Sequence, residues 1–309
     1  MTPIAHSGWH MVGPTRDRVG ESPVWDEQQQ ALWWVDIEGC QVRRWSARDN
    51  QTESWRLPQR VGCIALLADG RVLAAMQDQV ALARLQPGLP AELSTLARVT
   101  HPASGMRFND GRCDPTGRMW LGSMVMDMTQ ANAAGGLYCL DEHGLTGPHI
   151  RGLLTANGLG FSADGHRLYL SDSHPQARVV WACTLEGGSG QLGPRVPFAD
   201  FSATSMGRPD GAAVDAEDCY WVCGNDAGLI HRFAPDGRHL GVLHVPVTKP
   251  SMCAFGGADM RTLFVTSILP GGVDAINPGL NGALLATELT VAGRAEPRFA
   301  RLPPTTLSH

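Results

Sequence analysis

The chain has 309 residues, 43% hydrophobic and 18% charged, with a formal net charge of -5. No basic cluster of the kind a nucleic-acid site needs is present, and no run approaches the roughly 18 apolar residues of a membrane span, so neither a polyanionic partner nor a membrane is expected. Met1 to His10 lack the positive and apolar regions of a signal peptide, which predicts a cytoplasmic protein.

In chain order, one pattern is spelled six times: a polar residue opens a short apolar run, a turn follows, and a second run carries a large side chain. Glu21-Ser22-Pro23-Val24-Trp25-Asp26 leads into Leu32-Trp33-Trp34-Val35-Asp36. Cys63-Ile64-Ala65-Leu66-Leu67-Ala68-Asp69-Gly70 leads into Val72-Leu73-Ala74, and Asn109-Asp110-Gly111-Arg112-Cys113-Asp114 into Met119-Trp120-Leu121-Gly122-Ser123. Asn157-Gly158-Leu159-Gly160-Phe161-Ser162 precedes Leu168-Tyr169-Leu170-Ser171-Asp172. Arg208-Pro209-Asp210-Gly211-Ala212-Ala213-Val214 precedes Cys219-Tyr220-Trp221-Val222-Cys223, and Ser251-Met252-Cys253-Ala254-Phe255 precedes Leu263-Phe264-Val265-Thr266-Ser267. The spacing of about 40 to 55 residues is that of propeller blades.

Gly and Pro recur too often for long helices, while β-branched and aromatic runs bounded by Asp-Gly or Asn-Gly are frequent. The small apolar first runs suit innermost strands crowded around an axis; the aromatics Trp34, Trp120, Tyr169, Trp221 and Phe264 suit the wedges between sheets. The sequence therefore predicts an all-β, six-bladed β-propeller of four-stranded antiparallel blades, one domain over residues 1–309. Trp9 to Arg16 and Gly282 to Leu289 are expected to share the last blade. Arg301 to His309 are expected at the surface or frayed, and the insertions Val125 to Ala134 and Glu186 to Pro197 either cap a face or form plain loops.

The eight cysteines sit singly apart from Cys219 and Cys223. Four positions along a strand separate those two by about 13 Å, too far for a disulfide, so they read as small buried apolar residues.

In a propeller, equivalent repeat positions converge at one mouth of the central channel. The residues opening the innermost strands are Glu21, Gly62 or Cys63, Asn109, Asn157, Asp210 and Ser251. Asn and Asp before Gly are ordinary turn formers taken singly. Two carboxylates and two carboxamides at one repeat phase instead match a hard-cation site. Calcium, magnesium and manganese suit such oxygens; iron(II) and zinc bind them too, although no thiolate or imidazole marks a dedicated zinc cage. Asp36, Asp172 and Asp226, near the ends of second strands, are within reach of the channel but read rather as solvated loop residues, and His101, His174 and His231 as surface or satisfied core histidines.

Gly20-Glu21-Ser22-Pro23-Val24-Trp25, Arg107-Phe108-Asn109-Asp110-Gly111, Asn157-Gly158-Leu159-Gly160-Phe161-Ser162 and Pro209-Asp210-Gly211 resemble, in the same order, the motifs of the SMP-30/gluconolactonase family, which includes regucalcin, gluconolactonases and pentonolactonases. The resemblance spans about residues 15 to 275. It implies a six-bladed propeller with one divalent metal at Glu21, Asn157 and Asp210, and substrate contacts at Arg107 and Asn109. One departure is Val125-Met126-Asp127-Met128, which offers no Glu of the kind some family members place on the sugar.

The chemistry is coherent with a sugar lactone as substrate, a cyclic ester whose carbonyl must be polarised and whose attacking water must lose a proton. Asp210 is the expected catalytic acceptor, or the water is acidified by the cation; the residues leave both routes open. Arg107 offers planar donors and Asn109 a donor with an acceptor. No Gly-x-Ser-x-Gly elbow is present, which argues against a serine esterase. The competing readings are a metal-dependent arylesterase or phosphotriesterase and a non-enzymatic calcium-binding regulator.

Overall fold

The computed structural model describes residues 2–270 and 278–303. Its strands form six antiparallel sheets of four, arranged as the six-bladed β-propeller the repeat predicts. Helix among the described residues is limited to three single 3-10 turns, Met128–Gln130, Thr204–Met206 and Pro278–Leu280. None is long and apolar enough to cross a membrane.

The innermost strands are Gly20–Asp26, Val61–Leu66, Met106–Cys113, Ala156–Phe161, Arg208–Val214 and Pro250–Gly256, in blades one to six. They are short and rich in small residues because neighbouring backbones nearly touch. A Cβ on Gly62 would lie 2.4 Å from the Phe108 carbonyl oxygen of the next blade, so only glycine fits.

The second strand of most blades carries the predicted wedge aromatic. Trp34, Trp120, Tyr169 and Trp221 are fully buried and Phe264 is nearly so. Truncating such a side chain costs about 3–5 kcal/mol, so these wedges are a principal source of stability. In three blades the indole is also tied by its N–H to a buried carboxylate that an arginine neutralises: Trp34 to Asp17 with Arg43, Trp120 to Asp114 with Arg118, and Trp221 to Asp215 with Arg232. Each satisfies an N–H that burial would otherwise penalise.

The ring closes as expected: the outer strand of blade six, His10–Val12, pairs antiparallel with Leu284–Glu288, His10 opposite Ala286. All eight cysteines are free, and Cys219 and Cys223 are buried.

Beyond blade six the chain crosses the face remote from the candidate site as a strap. Gly293 N donates to Met260 O at 2.7 Å and Ala216 N to Ala292 O at 2.9 Å, in blades six and five. Arg294 reaches Phe161 O in blade four at 2.7 Å, and Phe299 N donates to Leu66 O in blade two at 2.9 Å. Arg298 bonds Asp26 in blade one at 2.7 Å, and Glu296 pairs with Arg112, a buried channel residue of blade three. Of the end expected at the surface or frayed, Arg301 is half-buried on Glu142 and Thr116 O, and 304–309 lie outside the described residues.

Candidate functional site

Every innermost strand slips register near its start. The shifts fall between Glu21 and Val24, Val61 and Cys63, Phe108 and Gly111, Asn157 and Gly160, Pro209 and Ala212, and Pro250 and Met252. Extra residues on one strand of a pair re-aim side chains, and here they turn Glu21, Asn109, Asn157 and Asp210 toward the channel mouth. The local sequences permit it: Gly158 has a φ of 62°, and Ser22 tolerates 50° because its hydroxyl accepts from Ile64 N at 3.0 Å.

The five residues singled out in the sequence, Glu21, Arg107, Asn109, Asn157 and Asp210, line one cavity of about 170 Å3. All five are buried. Gly62 and Ser251, which open the other two innermost strands, do not line it: Ser251 instead ties blade six to blade one through Gly20 O at 2.5 Å.

A hydrogen-bond chain fixes the polar floor. Arg107 donates to Asn109 Oδ1 at 2.5 Å, and Asn109 Nδ2 donates to Asn157 Oδ1 at 2.8 Å and to Ala156 O at 2.9 Å. Asn157 Nδ2 passes the chain to Ser173 Oγ at 2.7 Å. Each amide orientation is thereby set, leaving Asn157 Oδ1 facing its neighbours as an acceptor. On the opposite side Asn225 Nδ2 donates to Asp210 Oδ2 at 2.6 Å.

The electrostatics are unbalanced. Burial, then the nearby Asp210 and Asp110 carboxylates, push the Glu21 carboxyl well above its ordinary value. Burial likewise lifts Asp210 to about 7 against the opposing pull of Arg208 and the Asn225 hydrogen bond. Among the described residues the only hydrogen bond to the Glu21 carboxylate is a 3.3 Å contact from its own neighbour, Ser22 N. Burial pulls Arg107 down to about 10, which leaves it cationic at neutral pH. Arg208 spends much of its charge on Asp226, at 2.5 Å. Two buried carboxylates with weak satisfaction, beside a carboxamide oxygen, are a donor set that fits a hard divalent cation.

Two expectations need correction. Asp36 and Asp172 are neither solvated nor in the channel: they are buried and accept backbone N–H bonds, Asp36 from Arg18, Val19 and Gly39, Asp172 from Leu154, Thr155 and His174. Each pins the loop that leads into an innermost strand, which a carboxylate does better than water where the backbone is buried. Asp226 is the exposed turn residue expected, held between Arg208 and Lys249. The histidines are satisfied core or partly buried residues, His174 on Met128 O at 2.9 Å and His231 on Met206 O at 2.9 Å. Of the two insertions, the first puts Met126 and Met128 on the cavity, while the second folds against Arg118 at the far end of blade three.

Sequence reasoning passed over the supports. Ser173 and Asn225 orient Asn157 and Asp210; Asn225 is the last residue of its second strand, the position Asp36 and Asp172 hold in theirs, and Ser173 comes one residue later, a placement that could have marked them. Asp110, buried next to Asn109, accepts Leu159 N at 2.8 Å and locks blade three to blade four.

Residues 19–269 match the SMP-30/Gluconolactonase/LRE-like region. The chain belongs to this family. A 6-deoxy-6-sulfogluconolactonase of Pseudomonas putida is 35% identical over 284 residues, covering 91% of this chain and 95% of that protein. An L-arabinolactonase of Azospirillum brasilense is 32% identical over 298 residues, covering 95% and 96%. Among solved structures, a calcium-binding regucalcin from Agrobacterium tumefaciens superposes with a TM-score of 0.87 at 26% identity, covering 97% of this chain and 99% of that one.

Proposed function

We propose that this family member is a divalent-cation-dependent lactonase that hydrolyses a sugar aldonolactone to the aldonic acid. The observation that carries the reading is the meeting, in one small cavity, of two buried carboxylates and a carboxamide with a buried arginine-asparagine pair. That relatives of near-equal length are named as lactonases supports it.

Glu21, Asn157 and Asp210 would hold the cation, which when bound supplies Lewis-acid polarisation of the ester carbonyl. Arg107 and Asn109 bind and orient the lactone: the guanidinium donates to its oxygens, and Asn109 meets a hydroxyl with a fixed amide. Asp210, steered by Asn225, takes a proton from water as the water oxygen bonds to the carbonyl carbon. The ring C–O bond then breaks, and the proton passes to the ring oxygen as it leaves. One water is consumed, and Asp210 returns ionised. Buried fixed dipoles serve this better than solvent because they need no reorganisation as charge develops.

The second reading, a calcium-binding regulator, is favoured only by the regucalcin likeness. Base consumption at constant pH, measured with aldonolactones and each of calcium, magnesium, manganese, zinc and iron(II), separates the two. Turnover that a chelator stops supports the lactonase. Tight cation binding with no turnover of any lactone assigns the regulator instead.

A further inference from the structure

The second strand of blade three, Met119–Val125, ends beside the cavity and leads through Met126 and the N-cap Asp127 into the 3-10 turn Met128–Gln130. Met124, Met126 and Met128 all line the cavity, whereas Val125 packs into the protein and Asp127 is exposed, accepting Thr129 N at 3.1 Å. The backbone holds the three thioethers in place. Met124 bridges to Thr155, Met126 N donates to Gly105 O at 2.9 Å, and the His174 ring meets Met128 O at 2.9 Å.

Blades one and six supply a second apolar flank. Val19 forms an antiparallel bridge with Ile268, Ile37 N donates to Val19 O at 2.9 Å, and all three side chains line the same cavity. Apart from Glu21, Arg107, Asn109, Asn157 and Asp210, the polar residues on the cavity come from blades four and five: Thr155, whose buried hydroxyl has no hydrogen-bond partner among the described residues, with Ser173 and Arg208. The cavity thus offers hydrogen bonds around the reacting carbonyl and along one wall, and hydrocarbon and sulfur on two others.

A hydroxyl pressed against those flanks would lose its water and gain no partner, whereas a methyl group there loses nothing and buries apolar area. Methionine suits the task because an unbranched thioether adapts to an apolar substituent. We infer that the site selects a lactone whose exocyclic arm is a methyl or short alkyl group in place of the hydroxymethyl of a common aldonolactone, with Met126 and Met128 as specificity-determining residues. The inference rests on the lactonase reading above.

The test is kcat/KM on matched pairs, D-glucono-δ-lactone against the same lactone with a terminal methyl, and an arabinonolactone against its methyl-ended counterpart. The native protein should prefer the methyl-ended partner by about tenfold to a hundredfold, the range a hydroxyl commands in an apolar pocket. In Met126→Gln/Met128→Gln, with thermal melting confirming the fold, that preference should fall about tenfold or invert. Equal or better hydrolysis of the hydroxymethyl lactones by the native protein overturns the inference while leaving the lactonase reading intact. A methyl preference untouched by the double substitution overturns the role of the two methionines. No turnover of any lactone with any added cation sinks the lactonase reading, and this inference with it.

Discussion

The side-chain amide of Asn109 donates to the side-chain oxygen of Asn157 at 2.8 Å, joining blades three and four through residues 48 positions apart. The same amide group accepts from Arg107 at 2.5 Å, so Asn109 works as donor and acceptor at once. An aspartate cannot do this: it accepts only, and it would add a further carboxylate beside the buried Glu21, Asp210 and Asp110. Asn109→Asp should therefore lower kcat/KM on a lactone by about tenfold to a hundredfold, the equivalent of about 1–3 kcal/mol for one unsatisfied buried group. Steady-state kinetics with a melting curve check this; native-like turnover would remove Asn109 from the site.

Arg107 stands apart from the proposed ligands in its charge. Arg107→Ala should raise KM strongly and leave cation affinity unchanged or slightly tighter, because a positive neighbour has gone. Lactone kinetics and calorimetry with calcium alone read the two effects separately. A parallel loss of cation affinity would contradict a substrate role.

The strap makes its own prediction. Glu296 pairs with Arg112, whose other terminal nitrogen donates to Ala212 O at 2.5 Å, and both side chains of the pair are largely buried. Glu296→Ala removes the ion-pair partner of a buried guanidinium, leaving it only the attraction of Asp110, and should cost about 1–3 kcal/mol. Urea unfolding measures it, and a loss of less than about 0.5 kcal/mol would mean that solvent screens the pair.

His231 is fully buried between Met206 O and the His239 ring, and burial pulls its pKa from 6.5 to about 4. Between those values the unfolded chain binds a proton that the native state refuses, so stability rises with pH through the window and is lost as pH falls from 6.5 toward 4. The contribution amounts to about 3 kcal/mol. His231→Gln should flatten the stability profile across this range; an unchanged slope would assign the acid sensitivity elsewhere.

The blades were legible because each solves the same problem with the same residues: a turn, a small apolar strand by the axis, and an aromatic in the wedge. Glu21, Asn109, Asn157 and Asp210 were legible because all four fall on two adjacent positions of that repeat, Glu21 and Asn157 at the last pair before the bulge and Asn109 and Asp210 one residue later, inside it. Ser173 and Asn225 were not, since a lone polar residue at or just past the end of a second strand reads like any loop residue until its partner is known. Asp36 and Asp172 misled for a related reason, because their acceptors' partners are backbone N–H groups that carry no side-chain signature. The strap escaped notice because its bonds go to carbonyls and amides of distant blades, while its own sequence of Gly, Pro and Arg shows no periodicity.

Calorimetric titration of a divalent cation into the native protein, Glu21→Gln and Asp210→Asn goes most directly to the centre of the account. It predicts one site per chain in the native protein, with affinity reduced at least a hundredfold in each variant while melting temperatures stay at or above native, since each substitution removes a carboxylate whose burial is costly. Undiminished binding in both variants would place the cation elsewhere and leave the proposed hydrolysis without its organising charge.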